Sequence, residues 1–167
     1  KCGNRAPAIF VNVEDRKRVE AVLRAASVAS SFAQKPPKMG IIGEPSDWLI
    51  GSGNYAKNLP EQFGIKSEQI PISVLVKKVL EERKDIYHSL KEIIDNHSLD
   101  AFTIRCFDLL SSLKATSCLE VSRFNDENIV AACEGDIPAT ITMMIMQKMT
   151  GSPVFMANPT SVEIDRD

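Results

Sequence analysis

Residues 130–147, with the sequence VAACEGDIPATITMMIMQ, join a strand signal directly to a helix signal. The run at 129–133 is short and made of small or aliphatic residues, which is typical of a strand covered on both faces of a sheet. Pro138 suits the first turn of a helix, so residues 137–150 are predicted to be helical. Gly151 is predicted to end that helix. The segment therefore predicts a buried strand that passes through a short turn into a buried helix.

The same alternation of strands and helices continues toward both ends of the chain. The helix that begins near Ser73 is interpreted either as one long helix capped by that serine or as two helices broken near Lys84. Irregular structure is expected after the helical stretch that begins at 108, and a loop at 125–128. The predicted strands are 8–13, 39–44, 67–72, 100–107, 129–133 and 153–157; the predicted helices are 14–33, a short one within 54–64, 73–97, the stretch from 108, and 137–150.

Strands separated by helices favour right-handed crossovers and a mostly parallel sheet. We therefore predict an α/β protein with a three-layer, doubly wound (Rossmann-like) sheet that has helices on both faces. Residues 1–157 are predicted to form this domain, with 1–37 alternatively an entry segment from a preceding domain. Residues 158–167 are predicted to begin a following domain that the chain does not contain. The start at Lys1 and the ending EIDRD are interpreted as the limits of a piece of a longer protein.

The composition of the 167 residues is that of an ordinary soluble domain, with 44% hydrophobic and 25% charged residues. A net charge of −2 gives no support for nucleic-acid binding, and the lack of an 18-residue apolar run argues against a membrane span. The four cysteines form no CxxC pair, so we expect reduced thiols and a cytoplasmic protein. The two histidines, His88 and His97, form no HExxH motif, which argues against a zinc site within this chain.

Polar side chains follow the predicted strands where each strand ends. Because the carboxyl ends of parallel strands meet at one edge of a sheet, we expect these side chains to share a crevice in which a ligand binds. The candidates are Ser46, Asp47, Trp48, Arg105, Asp108, Glu134, Asp136 and Asn158.

Several of these candidates also have a purely structural interpretation. Asp136 and Asp108 could each cap the helix that follows, and Asp47 could be a turn residue after a proline. Trp48 could belong to the core or wall a sugar pocket. Glu134 differs, because a carboxylate directly after a buried strand is costly to bury unless it is paired, hydrogen-bonded or metal-bound.

Three stretches carry a resemblance to a known family. They are CEGDIPATITMMIMQKMTGSPVFMANP at 133–159, IGEPSDWLI at 42–50 and DAFTIRCFDLL at 100–110. The chain from about Lys38 to Pro159 resembles the L-fucose isomerases and the related L-arabinose isomerases, and the block from Glu134 to Asn158 is the specific part.

The resemblance implies a ketol isomerase that acts on a small-molecule sugar substrate, an aldose such as L-fucose or D-arabinose, and uses manganese. Oxygen-rich ligands would also suit magnesium. It implies a metal held by a Glu, an Asp and a His. Glu134 matches the Glu, Asn158 stands at the position of the Asp, and the His would come from a C-terminal domain absent from this chain. It also implies a homo-oligomer, a trimer or hexamer. The substrate-binding residues are predicted to be Ser46, Asp47, Trp48, Arg105 and Asp108.

The expected reaction moves a proton between C1 and C2 of the sugar through an enediol, with Glu134 as metal ligand and base. Asn158 cannot ionise, so Asp136 is predicted to be a second catalytic carboxylate, with Asp108 as an alternative. A non-catalytic sugar-binding relative, or an enzyme with altered carbohydrate chemistry, is the second hypothesis, motivated by Asn158. The GSG at 51–53 prompts a third, a nucleotide-binding domain.

Overall fold

The computed structural model of the chain describes residues 16–52, 58–158 and 161. Helices and strands alternate along these ranges, as the sequence predicts, and a 3₁₀ turn occupies Ile50–Ser52. The predicted strand at 8–13 lies outside the described residues. The elements are α1 Arg16–Gln34, β1 Lys38–Ile42, α2 Leu59–Gln62, β2 Lys66–Ile70, α3 Ile72–Glu81, α4 Ile86–His97, β3 Ala101–Ile104, α5 Asp108–Leu113, α6 Cys118–Asp126, β4 Val130–Ala132 and α7 Ile137–Thr150.

The four described strands form one sheet in the order β2-β1-β3-β4. Each neighbouring pair is parallel, with Ile42 of β1 opposite both Ile70 of β2 and Ile104 of β3. On the other side of β3, Thr103 pairs with Ala132 of β4. The strands are largely buried except β2, which lies at an edge. The predicted α/β class with a parallel sheet is confirmed.

Helices cover both faces of the sheet and make two separate cores. On one face, α3 to α6 pack around Phe102 and Phe124, whose rings meet edge to face at 5.4 Å. On the other face, α1 and α7 pack over Met39 and Ile41. Sheet residues alternate between the two cores because successive side chains of a strand point to opposite faces. This arrangement is the three-layer one that the sequence predicts.

The helical region after β2 divides into α3 and α4, which is one of the two alternatives left open by the sequence. Arg83 has a left-handed backbone (φ 54°) in the connection. Asp85 then caps α4 by accepting a hydrogen bond from the backbone N–H of His88. Ser73 is not the cap of α3, because the helix begins at Ile72, directly after Pro71, whose fixed φ suits a helix start.

Two further expectations are wrong. Residues 118–126 form the regular helix α6 in place of irregular structure, and this helix includes the first part of the loop expected at 125–128. Residues 153–157 form no strand among the described residues. Val154 and Met156 instead pack against the core under α1 and α7, while Phe155 is 88% exposed. An apolar run becomes a strand only if a partner strand supplies its hydrogen bonds, and sequence pattern does not reveal the partner.

Of the helices within the described ranges, none has an apolar stretch of the length that spanning a membrane requires.

Candidate functional site

The carboxyl ends of β1, β3 and β4 lie side by side at one edge of the sheet. The chain goes from β1 to its neighbour β2 on one side and returns to β3 on the other. This reversal makes the β1–β3 boundary a topological switch point, which is where α/β sheets form ligand crevices. The loops after these three strands therefore form the rim of the candidate site.

Gly135 holds the loop after β4 against the loop after β1. Its carbonyl oxygen accepts a hydrogen bond from the backbone N–H of Ser46 at 3.1 Å, and its own N–H donates to the Ile104 carbonyl at 3.1 Å. Its φ is +66°, and a Cβ at this position would lie 2.6 Å from the carbonyl oxygen of Glu44. Both the backbone angle and the close approach require glycine.

Glu134, the residue before this glycine, also has a left-handed backbone, with φ 62°. A non-glycine residue in this region is uncommon and often marks a functional site. The half-buried carboxylate accepts a hydrogen bond from the indole N–H of Trp48 at 3.3 Å and one from the Asn158 amide at 3.4 Å. The structure thus brings together three of the predicted site residues, although Asn158 does not follow a strand.

Asp136 has the structural role that the sequence offered as an alternative. Its Oδ1 accepts the backbone N–H of Ala139 at 3.0 Å and so caps α7. The same oxygen accepts the Ser52 hydroxyl at 3.2 Å. Ser52 is the serine of the GSG stretch, so its hydroxyl is already used to secure the start of α7; the last glycine of that stretch lies outside the described residues.

Arg105 connects the loops after β1 and β3. Its guanidinium forms ion pairs with Asp47 at 3.2 Å and Asp108 at 3.1 Å. It also donates to the Pro45 carbonyl at 3.3 Å and lies 4.7 Å from the centre of the Trp48 ring. Four of the five predicted substrate-binding residues, all except Ser46, are therefore joined through Arg105, whose side chain is only 18% exposed.

The surroundings of Ser46, Asp108 and Trp48 show which structural role each of these loop residues has. Ser46 is 1% exposed, and its hydroxyl accepts the backbone N–H of Leu49 at 3.3 Å, which closes a local turn. Asp108 is not the cap of α5, because the cap position belongs to Phe107. Its place in the first turn still suits the positive end of the helix dipole. Trp48 is 45% exposed, so it is not a core residue.

A pair of cysteines beneath the rim was not predicted as a unit. The Cys106 and Cys133 sulfur atoms lie 2.6 Å apart. Their pairing could have been anticipated only by aligning the ends of β3 and β4, since each cysteine follows one of these neighbouring strands. Cys106, Cys118 and Cys133 are free thiols, as predicted, and Cys2 lies outside the described residues.

The two thiols influence each other's ionisation. The pKa of the Cys106 thiol is lowered to about 6, first by the hydrogen bond from Cys133 and further by one from the backbone N–H of Glu134, while burial acts in the opposite direction. The same hydrogen bond, which Cys133 donates to Cys106, raises the pKa of the Cys133 thiol, and burial raises it further. The pair therefore favours a single negative charge shared between the two sulfur atoms.

Two candidate metal ligands lie close together, but the described residues complete no metal site. Glu134 and Asn158 are close enough to offer one carboxylate and one amide oxygen, which are ligand types that suit Mn²⁺ or Mg²⁺. Among the described residues, no group of three or more His, Cys, Asp or Glu side chains could hold a metal ion. The histidines are used elsewhere: His88 contacts Asp85, and His97 contacts Glu68. The Glu134 carboxylate and the Asn158 amide suit Mn²⁺ or Mg²⁺ chemically, and the remaining ligands would have to come from other residues.

Comparison with known proteins gives similarity over part of the chain. No protein-family model matches it. It is 26% identical over 145 residues to the sulfoquinovose isomerase of Alkalicoccus urumqiensis, covering 70% of this chain and 33% of that protein. It is 35% identical over 63 residues to that of Priestia aryabhattai, covering 37% of this chain and 14% of the relative. It is 27% identical over 79 residues to that of Clostridium sp. (strain MSTE9), covering 47% and 18%.

The chain thus spans a third or less of the length of these curated relatives. The similarity supports the broad class of sugar isomerases and not the L-fucose isomerases in particular. Within these limits, the chain is similar to proteins named sulfoquinovose isomerase.

Proposed function

We propose that this chain is part of a metal-dependent aldose–ketose isomerase, related in mechanism to the L-fucose isomerase type. The observation that carries the proposal is the Glu134 carboxylate, held at the switch-point edge of the sheet between Trp48 and Asn158. The similarity to sulfoquinovose isomerases supports a sugar as the substrate. The candidate substrates to compare are L-fucose, D-arabinose, L-arabinose and sulfoquinovose.

In this proposal, Glu134 takes the proton from C2 of the bound sugar and returns it to C1, while the proton of the O2 hydroxyl moves to O1. The Trp48 indole orients the carboxylate through its N–H, and its exposed ring can stack on the apolar face of a sugar. Asn158 aligns the other carboxylate oxygen and cannot itself accept a proton. When bound by Glu134 and Asn158, a divalent Mn²⁺ or Mg²⁺ would supply polarisation of the sugar oxygens.

We assign Asp136 a positioning role first, because one of its oxygens accepts two hydrogen bonds that fix the start of α7. A direct role in proton transfer remains a prediction. Asparagine also caps helices well, so Asp136→Asn separates the two roles. Retained activity in that variant would assign Asp136 to positioning, and a large loss with unchanged stability would assign it to catalysis.

The test follows deuterium from heavy water into the positions beside the carbonyl of each sugar, using the full-length gene product that carries this chain, with Mn²⁺ present. Metal-dependent uptake on one sugar is expected, with at least a 100-fold loss in Glu134→Gln, the scale of a lost general base. Thr142→Ser is a matched surface control on α7 and should keep full activity. Undiminished uptake in Glu134→Gln would refute the role assigned to this carboxylate.

A non-catalytic sugar-binding protein is the second candidate, favoured by the neutral Asn158 in place of a second carboxylate. It predicts a calorimetric binding signal with one of the same sugars and no deuterium uptake. The predicted trimer or hexamer and the cytoplasmic location also remain predictions. Light scattering on the full-length product tests the first of these.

A further inference from the structure

We propose that Cys106 and Cys133 form a reversible disulfide on exposure to peroxide, and that this modification site acts on the adjacent Glu134. The sulfur atoms lie 2.6 Å apart at the ends of neighbouring strands. An S–S bond is about 2.0 Å long, so the sulfurs need to move only slightly to bond. The proposal does not depend on the isomerase activity, since its first readout is covalent.

The backbone already holds the two cysteines in place. The Cys106 N–H donates to the Ile104 carbonyl at 2.9 Å, and the Cys133 carbonyl accepts the Thr103 hydroxyl at 3.3 Å. The Cys133 carbonyl also accepts the N–H of Asp136 at 3.1 Å. Cys106 and Cys133 follow Thr103 and Ala132, the last residues paired between β3 and β4, so neither cysteine is itself paired in the sheet. Oxidation therefore requires no rearrangement of the sheet.

The two thiols differ in access, which assigns an order to the reaction. Cys106 is 1% exposed, whereas Cys133 is half-buried and is the thiol that a small oxidant reaches. The Cys133 thiol passes its proton to the Cys106 sulfur that it contacts and attacks hydrogen peroxide as the thiolate. The O–O bond breaks, a Cys133 sulfenic acid forms, and the released hydroxide takes the proton back from Cys106 and leaves as one water. The Cys106 sulfur then attacks the Cys133 sulfur, the S–O bond breaks, and a second water leaves. In sum, two thiols are oxidised by two electrons and one peroxide is reduced to two waters.

A disulfide at Cys133 would change the conformation of the rim because Cys133 directly precedes Glu134 in the chain. That glutamate has an unusual left-handed backbone, so a shift of the preceding residue changes the direction of its side chain. The Glu134 carboxylate accepts the indole N–H of Trp48, the single tryptophan of the chain. The part of the tryptophan emission that Trp48→Phe removes therefore reports the state of the cysteine pair without any substrate.

The experiment treats the purified full-length product with hydrogen peroxide at fixed pH and maps disulfides after tryptic digestion. The expected product is a linked pair of peptides, 106–114 and 124–148, lighter by about 2 Da than the two thiol peptides together. Dithiothreitol should restore both thiols. Cys118→Ser, at the exposed cysteine, should form the same linked pair, whereas Cys133→Ser should not.

Two results would overturn the proposal. One is the absence of the linked peptides, with Cys133 instead oxidised to sulfinic acid beside an unmodified Cys106. The other is a linked pair whose formation leaves Trp48 emission unchanged, which would remove the effect on Glu134. A peroxide-induced emission shift that dithiothreitol reverses, and that Cys106→Ser abolishes, is the expected outcome.

Discussion

Replacing Gly135 with alanine should destabilise the protein far more than the same change at Gly151. Both glycines have a left-handed backbone, with φ +66° and +69°. A Cβ at Gly135 would lie 2.6 Å from the Glu44 carbonyl oxygen and 3.0 Å from the Ser46 nitrogen, both backbone atoms. A Cβ at Gly151 would meet nothing within 4 Å. The pair therefore separates the cost of the clash from the cost of the backbone angle.

The left-handed backbone costs an alanine about 1–2 kcal/mol, and this applies at both positions. Forcing an extra carbon into a packed contact adds about 1–3 kcal/mol, which applies only at Gly135. We therefore expect a total loss of about 2–5 kcal/mol for Gly135→Ala and about 1–2 kcal/mol for Gly151→Ala. The gain from a stiffer unfolded chain is similar for both and cancels in the difference.

Urea unfolding, followed by far-UV circular dichroism, measures this difference. With a slope of about 2 kcal/mol/M, the midpoint of Gly135→Ala should lie about 0.5–1.5 M below that of Gly151→Ala. Sugar binding should also weaken in Gly135→Ala, because the two loops can no longer approach. Equal midpoints for the two variants would refute the close contact between the loops after β1 and β4.

Three further predictions concern side chains. Asp136→Ala should lower the free energy of unfolding by about 1–2 kcal/mol through loss of the α7 cap, whereas Asp136→Asn should change it little, as urea titration can show. Glu92→Gln should lower the urea midpoint at pH 7, and the effect should shrink as the pH falls from 4.5 toward 2. Lysine hydrogen bonds, Lys78 first, lower the pKa of Glu92 from 4.5 to about 2, so its stabilising contribution is fully present above pH 4.5 and is lost as the pH falls through about 2. A constant midpoint difference across this range would contradict the assignment. Arg105→Lys should raise iodide quenching of Trp48, because lysine cannot keep the planar contact with the ring together with both ion pairs; unchanged quenching would argue against that contact.

The sequence predicts those parts of the fold in which local chemistry is decisive. The helix α7 is bounded by Asp136 and Gly151 as expected, because an aspartate cap followed by a proline and a later glycine leaves few alternatives. The buried strands also follow from their apolar runs. The prediction of a strand at 153–157 was wrong, because apolar residues of this stretch pack against the core without a partner strand.

The sequence predicts several of the polar side chains that lie beyond β1, β3 and β4, and predicts less well which of them contact each other. Glu134 and Asn158 lie within hydrogen-bonding distance, and their assignment to a metal site stays a prediction. The Asp47–Arg105 ion pair joins residues 58 positions apart, and the cysteine pair joins residues 27 apart. Such contacts depend on strand order, which a single sequence does not specify. The left-handed backbone of Glu134 is likewise set by the loops packed against it and not by a local preference.

The strand order also has a kinetic consequence. The central strands β1 and β3 become neighbours only when Lys38 approaches Asp100, 62 positions away. Closing a loop of that length costs about 3.7 kcal/mol of chain entropy beyond a constant term. By contrast, α3 and α4 contact each other through Lys78 and Glu92, only 14 positions apart. During folding, this helical hairpin can therefore form early, while the pairing of β1 with β3, and with it the entire rim, has to wait for the slow long-range encounter.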